Sequence, residues 1–241
     1  MNNRYLRNVL IDGIGEEGQA KLAASKVLVV GAGGLGSPVL YYLAAAGVGT
    51  LGIVDYDVVD ITNLQRQILH NTNDIGRLKI GSAALKLAIL NPAVILRPYG
   101  EKLTEINAES IIEDYDFVVD CCDNYATRLL INDVCVKQQK PYSHGAVIAM
   151  RGEAMTYVPG AACYRCVFEN PPQDGALSAS SQVGVLGAVA GIVGSIQATE
   201  AIKYIVGMRE QLILNRMLII EAGDMKFISL KVKKNKDCVC G

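Results

Sequence analysis

Lys26–Val30 is a short aliphatic run with three valines, and it stops abruptly at Gly31-Ala32-Gly33-Gly34-Leu35-Gly36. Ser37-Pro38 then opens a helical spacing of apolar residues through Ala46, so the segment reads as strand, glycine turn and helix. A second strand over 50–55 ends on Asp55, an acid about 20 residues beyond the turn, which is the layout of a nucleotide-binding βαβ unit. Apolar residues at Ile80, Ala83, Ala84, Leu87 and Leu90 predict a helix over 75–90, closed by Asn91-Pro92. A strand over 94–98, a helix over 106–112, a buried strand at Phe117-Val118-Val119-Asp120 and a helix reaching about Gln139 continue the alternation.

This order predicts an α/β fold, a Rossmann-like doubly wound and mostly parallel sheet. After Pro141 the pattern changes to hairpin-like strands over 146–158, a Gly/Pro/Ser-rich loop over 171–181, a long helix, and strands near 217–232. The expectation is therefore one domain over 1–241, with a nucleotide-binding part to about 140 and C-terminal antiparallel strands in the part beyond it. The most hydrophobic stretch, 183–196, holds four glycines and is too short to span a bilayer. It predicts a buried helix with close backbone contacts.

The chain has 241 residues, 51% of them hydrophobic, and its 23 basic and 24 acidic side chains leave a formal charge of -1. That content supports a full core, and the balanced charge gives no field to attract nucleic acid or an anionic membrane surface. The first twelve residues lack the apolar stretch of a secretory signal, so a cytoplasmic protein is expected. In that setting seven cysteines point to metal ligands and core thiols rather than disulfides.

Several residues offer chemistry. Asp55 and Asp57 end the second strand, where an acid either faces water or holds a ribose. Asn63-Leu64-Gln65-Arg66-Gln67 is rich in hydrogen-bond donors, suited equally to phosphates or to solvent. Lys79 falls in the first turn of a predicted helix, where the helix dipole disfavours a cation unless an anion lies nearby. Asp120 and Asp123 lie at the carboxyl end of the Phe117 strand, where either suits Mg²⁺ and Asp123 equally suits a helix cap. Cys163-Tyr164-Arg165-Cys166 and Cys238-Val239-Cys240 provide four thiols for a structural Zn²⁺. The second pair has a single-residue spacer, which strains a tetrahedral chelate and leaves Asp237 as an alternative ligand to Cys238. Cys121, Cys122 and Cys135 read as core thiols, and His70 and His144 as structural residues.

Taken in order, Arg4-Tyr5-Leu6-Arg7, the glycine turn, Asp55-Tyr56-Asp57, the Asn63–Gln67 cluster, Lys79, Asp120-Cys121-Cys122-Asp123-Asn124, the CxxC and the segment from Gly194 to Lys203 resemble the ThiF/MoeB/HesA family, relatives of the ubiquitin-activating enzymes. The resemblance implies ATP-dependent adenylylation of a carboxylate. Its expected acceptor is the C-terminal glycine of a small ubiquitin-like sulfur-carrier protein ending in Gly-Gly, in thiamine, molybdopterin or related sulfur metabolism. It further implies that Gly31, Gly33, Gly34, Gly36, Asp55, Asp57, Asn63, Arg66, Lys79 and Asn124 bind ATP, and that Asp123 holds Mg²⁺. In this scheme Arg66, Lys79 and Asp123 are catalytic, and Arg7 reaches the neighbouring subunit's ATP in a homodimer. The C-terminal part would carry the zinc and bind the carrier. Where many relatives have a loop cysteine this chain has Ser180, so the enzyme is expected to stop at the acyl-adenylate. Two readings from other classes stand beside it, a nicotinamide-dependent oxidoreductase and a noncatalytic nucleotide-binding scaffold. A third keeps the chemistry with a small carboxylic acid as acceptor.

Overall fold

The computed structural model describes residues 3–168 and 183–241. Its strands are β1 (Lys26–Val30), β2 (Thr50–Val54), β3 (Ile95–Tyr99), β4 (Phe117–Asp120), β5 (Tyr142–Ile148), β6 (Arg151–Tyr157), β7 (Arg216–Glu221) and β8 (Lys226–Lys231). The helices are α1 (Leu6–Val9), α2 (Gly15–Ala24), α3 (Gly36–Ala46), α4 (Lys79–Leu90), α5 (Ala108–Glu113), α6 (Tyr125–Lys137), α7 (Tyr164–Val167) and α8 (Gly187–Val206). The strands form one mixed sheet in the order β3-β2-β1-β4-β5-β6-β7-β8, parallel from β3 to β5 and antiparallel from there to β8.

The unbroken aliphatic runs follow from helices covering both faces. Val27 and Val29 face one buried cluster, with Leu40 and Leu43 of α3, Leu87 of α4 and Val193 of α8. Leu28 and Val30 face the other, with Ile111 and Ile112 of α5 and Ile131 and Val134 of α6. Each such fully buried aliphatic side chain contributes about 2 kcal/mol of transfer free energy. The helix expected over 183–196 begins at Gly187 and is close-packed at two of its three glycines: a Cβ on Gly187 would lie 2.4 Å from the Gln65 carbonyl oxygen and one on Gly194 2.5 Å from that of Leu35, whereas one on Gly191 would meet nothing within 4 Å.

Two boundaries and one whole helix stand out against the pattern reading. The helix predicted over 75–90 begins only at Lys79, because Asn71 and Asp74 close a capping box around residues 72–74 and Gly76 takes a φ of +83°. The hairpin starts earlier, at Tyr142, since β5 also pairs with β4. α2 went unanticipated; it buries only Gly18, Gln19 and Leu22, too few to print a helical stripe. The loop over 171–181 and Ser180 lie outside the described residues. Among the described residues no helix is long and apolar enough to cross a membrane.

Candidate active site

The sheet order reverses between β1 and β4, and the turns after these two strands meet at their carboxyl ends, with Gly31 against Cys121, the place where an open α/β sheet forms its ligand crevice. The glycine turn lines one wall. Gly31 has a φ of +101°, and a Cβ there would sit 2.7 Å from the Cys121 carbonyl oxygen. A Cβ on Gly36 would lie 1.9 Å from the Gly31 carbonyl oxygen, so α3 can start this close only with glycine at that position. Gly33 and Gly34 are half-buried between, with the Arg66 side chain against Gly34 and the Gln67 amide against Gly33.

Asp55 receives two backbone donors, Ala32 N–H at 2.8 Å and Asp57 N–H at 2.9 Å, one on each carboxylate oxygen. A second lone pair on each remains for a ribose hydroxyl. Lys79 is the first residue of α4, and only 6% of its side chain is exposed. The anion its position demands is supplied within the chain by Asp57, whose Oδ2 lies 2.8 Å from Nζ. Arg66 donates to the Thr62 carbonyl at 3.1 Å, and Asn63 accepts the Arg66 and Gln67 amides through its backbone oxygen. Partial burial, together with the negative charges of Asp57, Asp123 and Asp55, holds the Tyr56 phenol above its ordinary range.

On the β4 side the cap role belongs to Asn124, whose Oδ1 accepts the Thr127 amide at 2.9 Å. Asp123 is exposed and, among the described residues, accepts no hydrogen bond, leaving its carboxylate available to a cation. Asp120, the other candidate for Mg²⁺, is committed elsewhere: it is 1% exposed and pairs with His144 Nδ1 at 2.7 Å. Burial opposes charge on His144, but the hydrogen bonds to Asp120 and Glu153 outweigh it and hold the imidazole above its ordinary range. Arg128 lies beside them, donating to the Cys122 carbonyl at 3.0 Å. Cys121 and Cys122 are buried, and burial pushes both thiols well above the ordinary range.

Arg7 is not in this crevice. The Tyr5 ring covers Gly47 at the far end of α3, its hydroxyl takes a 2.8 Å hydrogen bond from Asn91, and Arg4 donates to the Leu90 carbonyl at the far end of α4. α3 and α4 have 11 and 12 residues, so about 16–18 Å of helix separates α1 from the glycine turn and Lys79 of the same chain.

The four C-terminal thiols converge. Cys163, Cys166, Cys238 and Cys240 place their sulfurs within 4.8 Å of one another, with Cys163–Cys238 at 3.5 Å and Cys166–Cys240 at 3.4 Å. A tetrahedron with metal–sulfur bonds of about 2.3 Å needs sulfurs about 3.8 Å apart. The one-residue spacer is accommodated because the two pairs face each other from separate segments. Asp237 is outside this group of ligands.

Gln67, Gln197 and His70, the last expected from the sequence to be structural, stand behind the glycine turn and β4. Gln67 is 5% exposed with its Oε1 unpartnered. His70 bonds the Ala32 carbonyl, and Gln197 of α8 donates to the Asp120 carbonyl at 2.7 Å. Both glutamines stand in polar segments already noted, but only the fold shows which way they face.

Known proteins resemble this chain in sequence and fold. A Haloferax volcanii protein named SAMP-activating enzyme E1 is 45% identical over 240 residues, spanning 99% of this chain and 88% of its own. A Thermus thermophilus sulfur carrier protein adenylyltransferase is 42% identical over 99% of this chain and 90% of its own. The adenylyltransferase and sulfurtransferase MOCS3 of Culex quinquefasciatus is 44% identical, but the chain spans only 54% of that protein's length. Among solved structures, Escherichia coli MccB with MccA-N7isoASN superposes with a TM-score of 0.88 at 26% identity, covering all of this chain and 76% of that one. The profile of the ThiF family matches residues 5–240, and the chain belongs to that family.

Proposed function

We propose that this protein uses ATP to adenylylate the C-terminal glycine carboxylate of a small ubiquitin-like sulfur-carrier protein, releasing pyrophosphate. The observation that supports this reading is the sheet's switch point, where a close-packed glycine turn is bonded to Asp55 at the end of β2, the buried cation of Lys79 pairs with Asp57, and Asp123 after β4 accepts no hydrogen bond among the described residues. In the reaction the carrier carboxylate attacks the α-phosphorus, the bond to the bridging oxygen breaks, and pyrophosphate leaves with the electron pair. A carboxylate is already ionised at neutral pH, so the step needs positioning and charge stabilisation rather than a general base. The site agrees: His70 and His144 are both buried and engaged through both ring nitrogens.

In this reading Asp55 holds the ribose, Gly33, Asn63, Arg66 and Lys79 surround the phosphates, and Asn124 ends the nucleotide wall. Asp123 is the residue that would hold Mg²⁺, which supplies charge neutralisation at the phosphates. The four thiols would hold a structural Zn²⁺, tying the C-terminal segment to α7. The distance of α1 from its own crevice favours a homodimer in which Arg7 serves the partner's ATP, and half-exposed Leu6, Leu10 and Ile11 on the same segment suit such a contact. Burial of Cys121 and Cys122, which pushes both thiols above the ordinary range, favours an enzyme that stops at the acyl-adenylate. Carrier-dependent exchange of pyrophosphate into ATP tests the reading. Exchange without any carrier but with small acids would favour the small-molecule acceptor, and NAD binding without exchange would favour the oxidoreductase.

A further inference from the structure

The glycine turn is held by a chain of hydrogen bonds that begins on α4. His70 is 5% exposed and its Nε2 lies 2.9 Å from the Ala32 carbonyl oxygen. A carbonyl only accepts, so Nε2 carries the proton. In the neutral ring Nδ1 is then an acceptor, and it lies 2.8 Å from Ser82 Oγ, which is 1% exposed. Ser82 accepts in turn from Lys86 Nζ at 2.7 Å, and Lys86 pairs with the buried Asp74, itself fixed by the Asn71 amide at 2.8 Å. Lys86 donates to both Ser82 and Asp74, and the Ser82 hydroxyl faces the Asp74 carboxylate as well as His70 Nδ1; Ser82 and Lys86 stand on α4, the helix that begins with Lys79.

The consequence is directional. A trans peptide is planar, with its C=O and the following N–H pointing opposite ways. Drawing the Ala32 carbonyl toward His70 therefore turns the Gly33 N–H away from it, outward from the chain's interior. Among the described residues that N–H donates to nothing, whereas the Ala32 N–H is already held by Asp55 at 2.8 Å. The two bonds pin the Ala32 backbone from both sides and leave the Gly33 N–H unengaged among the described residues, as are the Gly34 and Leu35 amides that follow it.

We propose that His70 is a positioning residue that aims the Gly33 N–H at the nucleotide phosphates and locks the glycine turn to the helix bearing Lys79. The inference rests on the nucleotide site proposed above. Burial, with Lys86 and Lys79 nearby, keeps the imidazole below its ordinary range, so the neutral form that the chain of bonds requires is the prevailing one at neutral pH.

Two measurements test it. In wild-type protein the imidazole ¹⁵N–¹H spectrum near neutral pH should show His70 as the Nε2–H tautomer. An Nδ1–H tautomer or a doubly protonated ring would overturn the proposal whether or not any variant folds. In variants, His70→Gln can still reach the Ala32 carbonyl, His70→Asn reaches only toward Ser82, and His70→Phe reaches neither. The dissociation constant and KM for ATP should stay within about threefold of wild type for Gln and rise about tenfold for Asn and Phe, with kcat nearly unchanged, as for a contact made in ground and transition states alike. Equal ATP affinity in all three folded variants, with only their melting temperatures differing, would overturn the positioning role. Wild-type protein that binds no ATP would instead remove the nucleotide site itself.

Discussion

Replacing Lys79 with methionine isolates its charge. The stem of Lys79 is buried and methionine fills a similar volume, while Asp57, 50% exposed in its side chain, regains water when its partner disappears. Stability should therefore move by less than about 1 kcal/mol, as for other pairs with one solvated member. Catalysis should respond far more. A cation about 4 Å from a phosphoryl charge contributes roughly 4 kcal/mol at an effective dielectric near 20, and about 1 kcal/mol in bulk water. With only 6% of its side chain exposed, Lys79 belongs near the first limit, and preorganised donors elsewhere are worth about 3–4 kcal/mol. At about 1.4 kcal/mol per tenfold, the expected loss in pyrophosphate exchange is on the order of 100- to 1000-fold. Exchange measured at saturating carrier, with a thermal melt confirming the fold, decides it. A folded Lys79→Met protein within about fivefold of wild type would refute the assignment.

Mixing Arg7→Ala with Lys79→Met, each inactive alone, should restore about a quarter of wild-type activity, since half of randomly exchanged dimers are hybrids with one complete site each; no recovery after subunit exchange is verified would refute action in trans. Elemental analysis should find one zinc per chain, and Cys166→Ser or a strong chelator should lower the melting temperature, while Asp237→Ala should leave zinc content unchanged. The raised value of His144 makes its contribution to stability complete below the ordinary histidine value and progressively lost as pH rises through the raised one; Asp120 and Glu153, held low, contribute above the ordinary carboxylate range and lose it as pH falls. The denaturation midpoint should accordingly fall on the alkaline side in wild type and not in His144→Gln, and identical slopes would dismiss the buried pair as the cause. Cys121 and Cys122 should resist alkylation in the native protein, and intact-mass measurement should find no thiol-labile conjugate with the carrier; a conjugate persisting in Cys121→Ala and Cys122→Ala variants would contradict an enzyme that stops at the adenylate.

What the sequence made legible was whatever a local constraint prints on it. The glycine turn shows because Gly31 and Gly36 admit no side chain, and the parallel core shows because burial on both faces leaves unbroken valine and isoleucine runs. The misplaced start of α4 has an equally local cause in Gly76, but its left-handed φ competes with an apolar spacing that continues upstream. Contacts across the fold were not legible. Asp57 and Lys79 are 22 residues apart, Asp120 and His144 are 24 apart on neighbouring strands, and Cys163 and Cys238 are 75 apart. The single-residue spacer looked strained because chain spacing alone gives no direction of approach. His70 stood as an isolated histidine for the same reason: its partners come from the glycine turn and from α4.

The central claim is that the carrier's terminal carboxylate receives AMP from ATP. Intact mass spectrometry of a Gly-Gly carrier incubated with this protein, ATP and Mg²⁺ should show the carrier heavier by one adenylyl group, trapped as a hydroxamate when hydroxylamine is added, and no change in a carrier whose terminal carboxylate is amidated. A carrier left unmodified while ATP is consumed to ADP, or modification of the amidated carrier, would contradict it.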